Sequence, residues 1–170
     1  MKKLILLLLT IPFFFACSDD KEEKYTTNSI EYNLYQSSDF DYEGKLTVRE
    51  LTSGQLELTV ILEGKKESDP YFFPAHLHFG QYDNPDSPIA FMLNPVDIRD
   101  LKSTTVLGTL SNSNTLTFED FKSFDGHVKI HLAESGPDYA VILSAGNIGQ
   151  NDNSSAAFNL QEMAICTPAY

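Results

Sequence analysis

Hydrophobic and polar residues alternate with a period of two in several short segments of the chain. In QLELTVILE, the four aliphatic residues from Leu56 to Leu62 at every second position fall on one side, and the residues between them fall on the other. GKLTVREL, residues 44–51, shows a less regular version of the pattern, and the short LTSGQ between the two segments is typical of a hairpin connection. Because successive side chains of a strand point to opposite faces of a sheet, both segments are predicted to be strands with one buried face.

The rest of the chain extends this pattern to an all-β domain. Thr117 is predicted to cap a helix of two or three turns at most in LTFEDFKSF, with Asp120 three residues later, and 149–155 is predicted to be a loop. Clusters of Gly, Asn, Ser, Asp and Pro separate eight or nine short strands, with no repeat and no second domain, which favours an antiparallel β-sandwich or barrel. Further strands are predicted at 31–35, 74–79, 89–93, 104–110, 126–132 and 139–145, with a last one inside 157–165.

The first sixteen residues, MKKLILLLLTIPFFFA, have the composition of a secretory signal. Two lysines precede an apolar run of about a dozen residues, which is shorter than the roughly 20 residues that a membrane-spanning helix needs. Cys17 follows the small residue Ala16 directly, and in this the segment resembles the lipobox of bacterial lipoproteins, where the cysteine carries lipid. An ordinary signal peptide followed by a chance cysteine is the alternative.

This start divides the chain into three predicted parts. Residues 1–16 are expected to be removed, residues 17–29 to form a lipid-modified Cys17 with an acidic tether, and residues 30–170 to fold as one domain. More than one acyl chain on Cys17 would give stable membrane anchoring. The acidic SDDKEEK resembles a surface-export signal of some Gram-negative lipoproteins and equally a solvated linker. The prediction is an outer-membrane lipoprotein, on either the periplasmic or the cell-surface face.

The charge of the mature chain limits its partners. Without residues 1–16, ten basic residues stand against 24 acidic ones, which gives a net charge of −14 with histidines neutral. This charge argues against nucleic acid as a partner and against a basic membrane-binding face, so membrane contact is assigned to the lipid. With Cys17 lipidated, Cys166 is the one remaining thiol, and no intramolecular disulfide is expected.

The four histidines of the chain fall in two strand-like segments, PAHLHF and HVKIHL. In the first, His76 and His78 alternate with apolar residues; in the second, His127, Lys129 and His131 do the same. The apolar sides are expected to face the core. All four imidazoles are therefore expected on the outer surface of the sandwich.

Spacing limits which imidazoles can share a metal ion. Two residues apart on a strand, Cα atoms are about 6.6 Å apart, whereas His127 and His131, four residues apart, are about 13 Å apart. Bonds of about 2 Å cannot join that second pair to one ion. The feasible site is His76, His78 and one of the second pair, and three imidazoles without a carboxylate suit copper or zinc. Alternatively, the histidines simply occupy polar positions where threonine or lysine would serve equally.

These residues resemble a known family. PAHLHFG, IAFMLNPVD, FEDFKSFDGHVKIHLAESG and ILSAGNIGQN are similar to the bacterial CHRD (chordin-type) domains over roughly residues 44–151. CHRD domains are in turn similar to the copper/zinc superoxide dismutase sandwich, which implies a Greek-key topology. The resemblance implies that His76 and His78 match the copper-binding H-x-H motif and that His131 matches the later copper-binding histidine. His127 matches neither motif and is predicted to lie on the surface.

The chain departs from the dismutase pattern at the positions that matter for catalysis. Met92 stands in M-L-N-P where the resemblance places the metal-bridging histidine, and Gln150 and Asn151 follow G-N-I-G where an arginine is expected. Without a guanidinium group, a substrate anion loses its guide and its charge partner. The paired cysteines of the dismutase disulfide are absent too. Dismutase activity is therefore not expected.

Three residues are candidate accessories to the metal site, namely Met92, Asp125 and His127, which lies on the second histidine strand. The thioether of Met92 is a soft ligand that favours Cu(I), although Met92 could instead pack beside its apolar neighbours Phe91 and Leu93. Asp125 flanks the second histidine strand and could orient an imidazole, or it could be a solvated loop carboxylate.

Three functions remain open from the sequence. The first is a lipid-anchored, non-catalytic cell-envelope protein that binds copper or zinc through His76, His78 and His131. The second is a dismutase-like copper redox enzyme with an open coordination position. The third is a metal-free interaction module for a protein or glycan partner, suggested by aromatic residues predicted in loops, namely Tyr71, Phe72, Phe73 and Tyr82.

Overall fold

The structure, a computed structural model, describes residues 23–165 and is nearly all β. It has a single short α-helix, α1, at Phe118–Lys122, and two 3-10 turns at Pro137–Ala140 and Leu160–Glu162. The predicted all-β class with at most one short helix is confirmed. Cys17 and Cys166 lie outside the described residues. The eight strands are β1 (Tyr25–Gln36), β2 (Glu43–Leu51), β3 (Leu56–Glu63), β4 (Phe72–Phe79), β5 (Ile89–Asp97), β6 (Lys102–Val106), β7 (Asp125–His131) and β8 (Ile142–Gly149).

The strands form one closed antiparallel barrel in the order β1-β2-β3-β6-β5-β4-β7-β8. β2 and β3 form the predicted hairpin, and β1 pairs with β8 to close the barrel. After β3 the chain crosses to β4, which is three places away in the barrel. β5 and β6 then fill the two places between them, so that β6 pairs with β3, and this is a Greek-key arrangement. Within residues 23–165, no helix has the length and apolar character needed to cross a membrane.

The apolar side of each strand fills the barrel. Leu46, Val48, Leu58 and Val60 from the hairpin belong to one core cluster with Leu77 of β4 and with Val128 and Ile130 of β7. Full burial of each such side chain contributes about 1.5–3 kcal/mol. The predicted inward faces of these strands are therefore confirmed.

The helix α1 begins directly after Thr117, the residue predicted to cap it. The hydroxyl of Thr117 accepts a hydrogen bond from the backbone N–H of Asp120, and the Asp120 carboxylate accepts one from the backbone N–H of Thr117. Phe118 and Phe121 are buried in the core and hold the helix on the barrel.

Several predicted bounds are wrong, since the strands expected at 104–110 and 139–145 lie at Lys102–Val106 and Ile142–Gly149. β1 begins at Tyr25, and Tyr25 and Ser29, which were expected in the tether, pair with β2. Residues 157–165 form turns and the second 3-10 turn, with no strand. In this last segment the side chain of Asn159 accepts a hydrogen bond from the backbone of Gln161, a local bond that competes with strand pairing.

Candidate metal centre

The register of β4 and β7 brings the histidines together. His78 lies opposite His127, and His76 lies opposite Lys129, so these side chains share one face of the barrel wall. One potential ligand atom from each of His76, His78 and His131 lies within 4.8 Å of the other two. Metal–nitrogen bonds of 2.0–2.1 Å require nitrogens about 3.3–3.6 Å apart, so a small inward movement of the rings completes a site.

The histidine face is buried, and the prediction that it lies on the outer surface is wrong. His76, His78, His127 and His131 are 3%, 1%, 0% and 0% exposed, and Lys129 between them is 1% exposed. The alternation did identify the side of each strand that faces the core, since Ala75 and Leu77 of β4 and Val128 and Ile130 of β7 belong to the core cluster. A period of two gives the direction of a side chain, but it does not reveal whether a distant segment covers that side.

Three segments contact the histidine face: the connection 80–88, the 3-10 turn Pro137–Ala140 and the C-terminal stretch 150–165. The Lys129 ammonium donates a 2.7 Å hydrogen bond to the carbonyl of Ala164. The backbone N–H of Ala164 donates to the carbonyl of Tyr82, and the Tyr82 hydroxyl donates to the carbonyl of Ala157 at 3.0 Å. These bonds hold the C-terminal stretch against the connection and the strand β7.

Backbone carbonyls orient three of the four rings. The Nδ1 atoms of His78, His127 and His131 lie 3.2, 2.7 and 2.8 Å from the carbonyls of Ser87, Gly80 and Tyr139. A carbonyl only accepts, so each of these Nδ1 atoms carries the proton and the lone pair lies on Nε2. Metal-ligating histidines usually show this arrangement.

Two ring nitrogens of the ligand group make no hydrogen bond within the described residues. Nδ1 of His76 and Nε2 of His131 are buried and have no hydrogen-bond partner within residues 23–165. A buried polar atom left without a partner costs about 1–3 kcal/mol, and a metal ion would supply the missing partner. The unpartnered donor atoms of the ligand group are therefore Nδ1 of His76 and Nε2 of His131, and His78 is its third residue.

The three imidazoles of the ligand group are neutral at physiological pH. Burial, together with the neighbouring imidazoles, lowers the pKa of His76 and of His78 to about 3. Burial lowers the pKa of His131 to about 4, against the opposing effect of the hydrogen bond to Tyr139, and the charge of Lys129 lowers it too. Because a metal ligand must be deprotonated, protons do not compete with a metal ion near pH 7.

His127 is a buried neighbour of the site and not a surface residue as predicted. Its ring stacks on that of His78 with centroids 4.8 Å apart and an angle of 6° between the planes. It is outside the metal-ligand group, as the spacing to His131 requires. Its Nε2 is buried and has no hydrogen-bond partner in the described part of the chain, and burial lowers its pKa to about 3.

Asp125 and Met92, the other two predicted accessory residues, differ in their surroundings. The carboxylate of Asp125 accepts a 2.9 Å hydrogen bond from Asn151, and it makes none to an imidazole within residues 23–165. The orienting role expected of Asp125 belongs instead to the three carbonyls, which carry no signal in the sequence. Met92 lies opposite His76 on β5 and is 59% exposed, so the alternative that it packs among apolar neighbours is wrong.

Comparison of the chain with models of protein families, with curated proteins and with solved structures found no match. The chemistry of the site is therefore interpreted from its own atoms. In residues 23–165, three close, buried histidines form a group that could hold a metal ion.

Proposed function

We propose that this protein is a lipid-anchored, non-catalytic CHRD-type protein of the cell envelope that binds one copper or zinc ion between His76, His78 and His131. The observation that carries the proposal is the pair of buried nitrogens without partners, Nδ1 of His76 and Nε2 of His131, inside a ligand group 4.8 Å across. Without an ion, these atoms lose their hydrogen bonds to water on folding and form no new ones within the described residues. Coordination offsets that cost.

The donor set favours copper or zinc. All three donors are neutral imidazole nitrogens, whereas calcium and magnesium prefer several oxygen ligands. Met92 adds a soft ligand beside His76, because side chains directly opposite each other on antiparallel strands have Cβ atoms about 4.5–5.5 Å apart. A thioether binds Cu(I) and has little affinity for Zn(II), so Met92 supports copper over zinc.

The covering of the site supports a binding role over an enzymatic one. A metal enzyme needs an open coordination position that substrate can reach, and the three histidines are at most 3% exposed. The cation nearest to the three histidines, the ammonium of Lys129, donates a hydrogen bond to the carbonyl of Ala164, so it is already engaged and is not presented to a substrate anion. The mature chain, at −14, also repels an anionic substrate.

The membrane part of the proposal rests on the N-terminal sequence. Lipid on Cys17 would place the barrel on the periplasmic or the outer surface of the outer membrane, behind a short acidic tether. Mass spectrometry of the protein purified from membranes tests this: acyl chains on Cys17 are expected, and Cys17→Ser should release the protein into the soluble fraction. An unmodified Cys17 at the mature N-terminus contradicts the anchor and leaves the metal site unaffected.

Elemental analysis of the protein purified from its native envelope, without added metal, tests the metal. Close to one copper or zinc atom per chain is expected, and the variant carrying His78→Phe and His131→Phe should contain none. The same metal content in the variant contradicts the assignment. Superoxide turnover above that of matched free copper would instead favour the dismutase-like alternative.

A further inference from the structure

A second site lies at one end of the barrel. A cavity of about 580 Å³ opens among the connections that follow the odd-numbered strands, after β1, β3, β5 and β7. This volume is within the range of pockets that hold small molecules. No histidine lines it, so it is separate from the metal ligands.

Aromatic rings form the floor and wall of this cavity. The rings of Tyr42 and Tyr71 stand edge-on to Phe73, at centroid distances of 5.3 and 5.5 Å, and Phe40 adds an exposed ring. The hydroxyl of Tyr42 donates to the carbonyl of Lys65, and the hydroxyl of Tyr71 donates to the carbonyl of Leu132, both at 2.8 Å. These bonds fix the rings across separate connections, so the cavity is formed before any ligand arrives.

The charged groups of the cavity are almost all negative. Four carboxylates line it, and its one lysine, Lys65, pairs with Glu67 at 2.8 Å. The carboxylates of Asp39, Asp41 and Asp69 make no ion pair or hydrogen bond among the described residues. Carboxylates accept hydrogen bonds, so the group that meets them must donate, and a positive charge on that group adds Coulomb attraction to all four.

We propose that this cavity binds a small organic cation, an ammonium group carried on an apolar body. The apolar body lies against Phe73 and Tyr42, the ammonium faces the carboxylates, and the ring face of Tyr71 adds a cation–π contact. The net charge of the mature chain attracts such a ligand over a longer range. The proposal is independent of the metal site, because none of these groups is a metal ligand.

Three probes of matched shape test the charge requirement. The mature chain carrying Cys17→Ser is titrated with 2-phenylethylammonium, with neutral 2-phenylethanol and with anionic 3-phenylpropanoate, and binding is followed by NMR shifts. The cation is expected to shift Phe40 and Tyr71 and to bind at least about fivefold more tightly than the alcohol, and the anion is expected not to bind. Equal affinity for cation and alcohol, or no shift with the cation at millimolar concentration, overturns the proposal.

Substitutions of carboxylates inside and outside the cavity test whether the ammonium probe binds there. Asp39→Asn and Asp69→Asn should each weaken binding of the ammonium probe by up to about fivefold and leave the alcohol unaffected. Asp83→Asn removes an exposed carboxylate outside the cavity and is expected to change neither. Equal losses in all three variants would mean that only net charge matters, which contradicts a built site. Removal of metal by a chelator should leave cation binding unchanged, which separates this result from the proposed metal function.

Discussion

His78 and His127 lie directly opposite each other on β4 and β7, with parallel rings whose centroids are 4.8 Å apart, yet only His78 belongs to the metal-ligand group. The second strand contributes its ligand four residues later, through His131, whose ring stacks on Tyr139 at 4.5 Å. Two histidines of one strand thus have similar burial, but only His131 lies in the group that could hold a metal ion.

The first prediction separates these roles with one substitution at two positions. His131→Phe keeps a ring against Tyr139 but removes a ligand nitrogen. Loss of a residue that only supports a ligand costs 10–100-fold in metal affinity, so loss of the ligand itself should lower the affinity by more than about 100-fold. His127→Phe keeps the ring against His78 and removes no ligand, so affinity should stay within about the tenfold cost of a lost supporting contact. Competition titration against a chromophoric chelator measures both. Similar losses in the two variants would contradict the assignment of the third ligand.

The second prediction concerns acid stability. All four histidines have folded pKa values of about 3 or 4, below the ordinary value of 6.5 expected in the unfolded chain. The unfolded state therefore takes up protons first, and the stabilising contribution, complete above pH 6.5, is lost as the pH falls toward 3–4. Each histidine contributes a slope of up to about 1.4 kcal/mol per pH unit in that window.

Urea unfolding of the metal-free protein at neutral pH and at about pH 5 measures this slope. His127→Phe removes one of the four titrating groups and should lower the slope by about one quarter. A free energy of unfolding that does not change over this interval would mean that the folded protein protonates its histidines freely, against the burial described.

The third prediction concerns the choice of metal. Met92→Leu removes a thioether beside His76 and conserves volume at an exposed position, so stability should not change. Affinity for Cu(I) should fall roughly tenfold while affinity for Zn(II) stays constant, because only Cu(I) uses the soft sulfur. Met163→Leu, in the C-terminal stretch, is the control and should change neither affinity. Equal effects of Met92→Leu on both ions would exclude a sulfur contact.

The fourth prediction concerns Gly149, which ends β8 at the G-N-I-G motif. Its φ is +68°, and an added Cβ would lie 1.9 Å from the carbonyl oxygen of Phe124. Gly149→Ala should therefore cost more than about 3 kcal/mol of unfolding free energy. Gly54 has a φ of +84° with nothing within 4 Å of an added Cβ, so Gly54→Ala should cost only the backbone strain, about 1–2 kcal/mol. Urea unfolding distinguishes the two, and equal costs would contradict the close contact.

Much of the barrel follows from local patterns. The alternation around Leu58 and Val60 specifies an inward face, and Thr117 with Asp120 specifies a helix start, because each signal depends on residues close in sequence. The burial of the histidines does not follow from local patterns, because it depends on two segments that cover them. Ala164 is distant from both histidine strands in sequence, and Tyr82 lies in an irregular connection after β4. One signal was available: ILSAGNIG, the β8 neighbour of β7, has no charged residue on either side, which is typical of a strand buried on both faces.

The third metal ligand shows the same limit. Spacing alone left His127 and His131 as equal candidates, and the resemblance favoured His131. In the barrel, the ring of His131 lies 4.9 Å from that of His76, a distance set by strand register and by the carbonyl of Tyr139. Neither the register nor that carbonyl can be inferred from side-chain identity.

Isothermal titration of the metal-free mature chain, carrying Cys17→Ser, with Zn(II), Cu(II) and Cu(I) under anaerobic conditions tests the central claim most directly. One ion per chain is expected to bind with a submicromolar Kd, with His78→Phe abolishing binding and His127→Phe retaining it. A Kd weaker than micromolar for all three ions would contradict the claim that the buried imidazoles form a metal site.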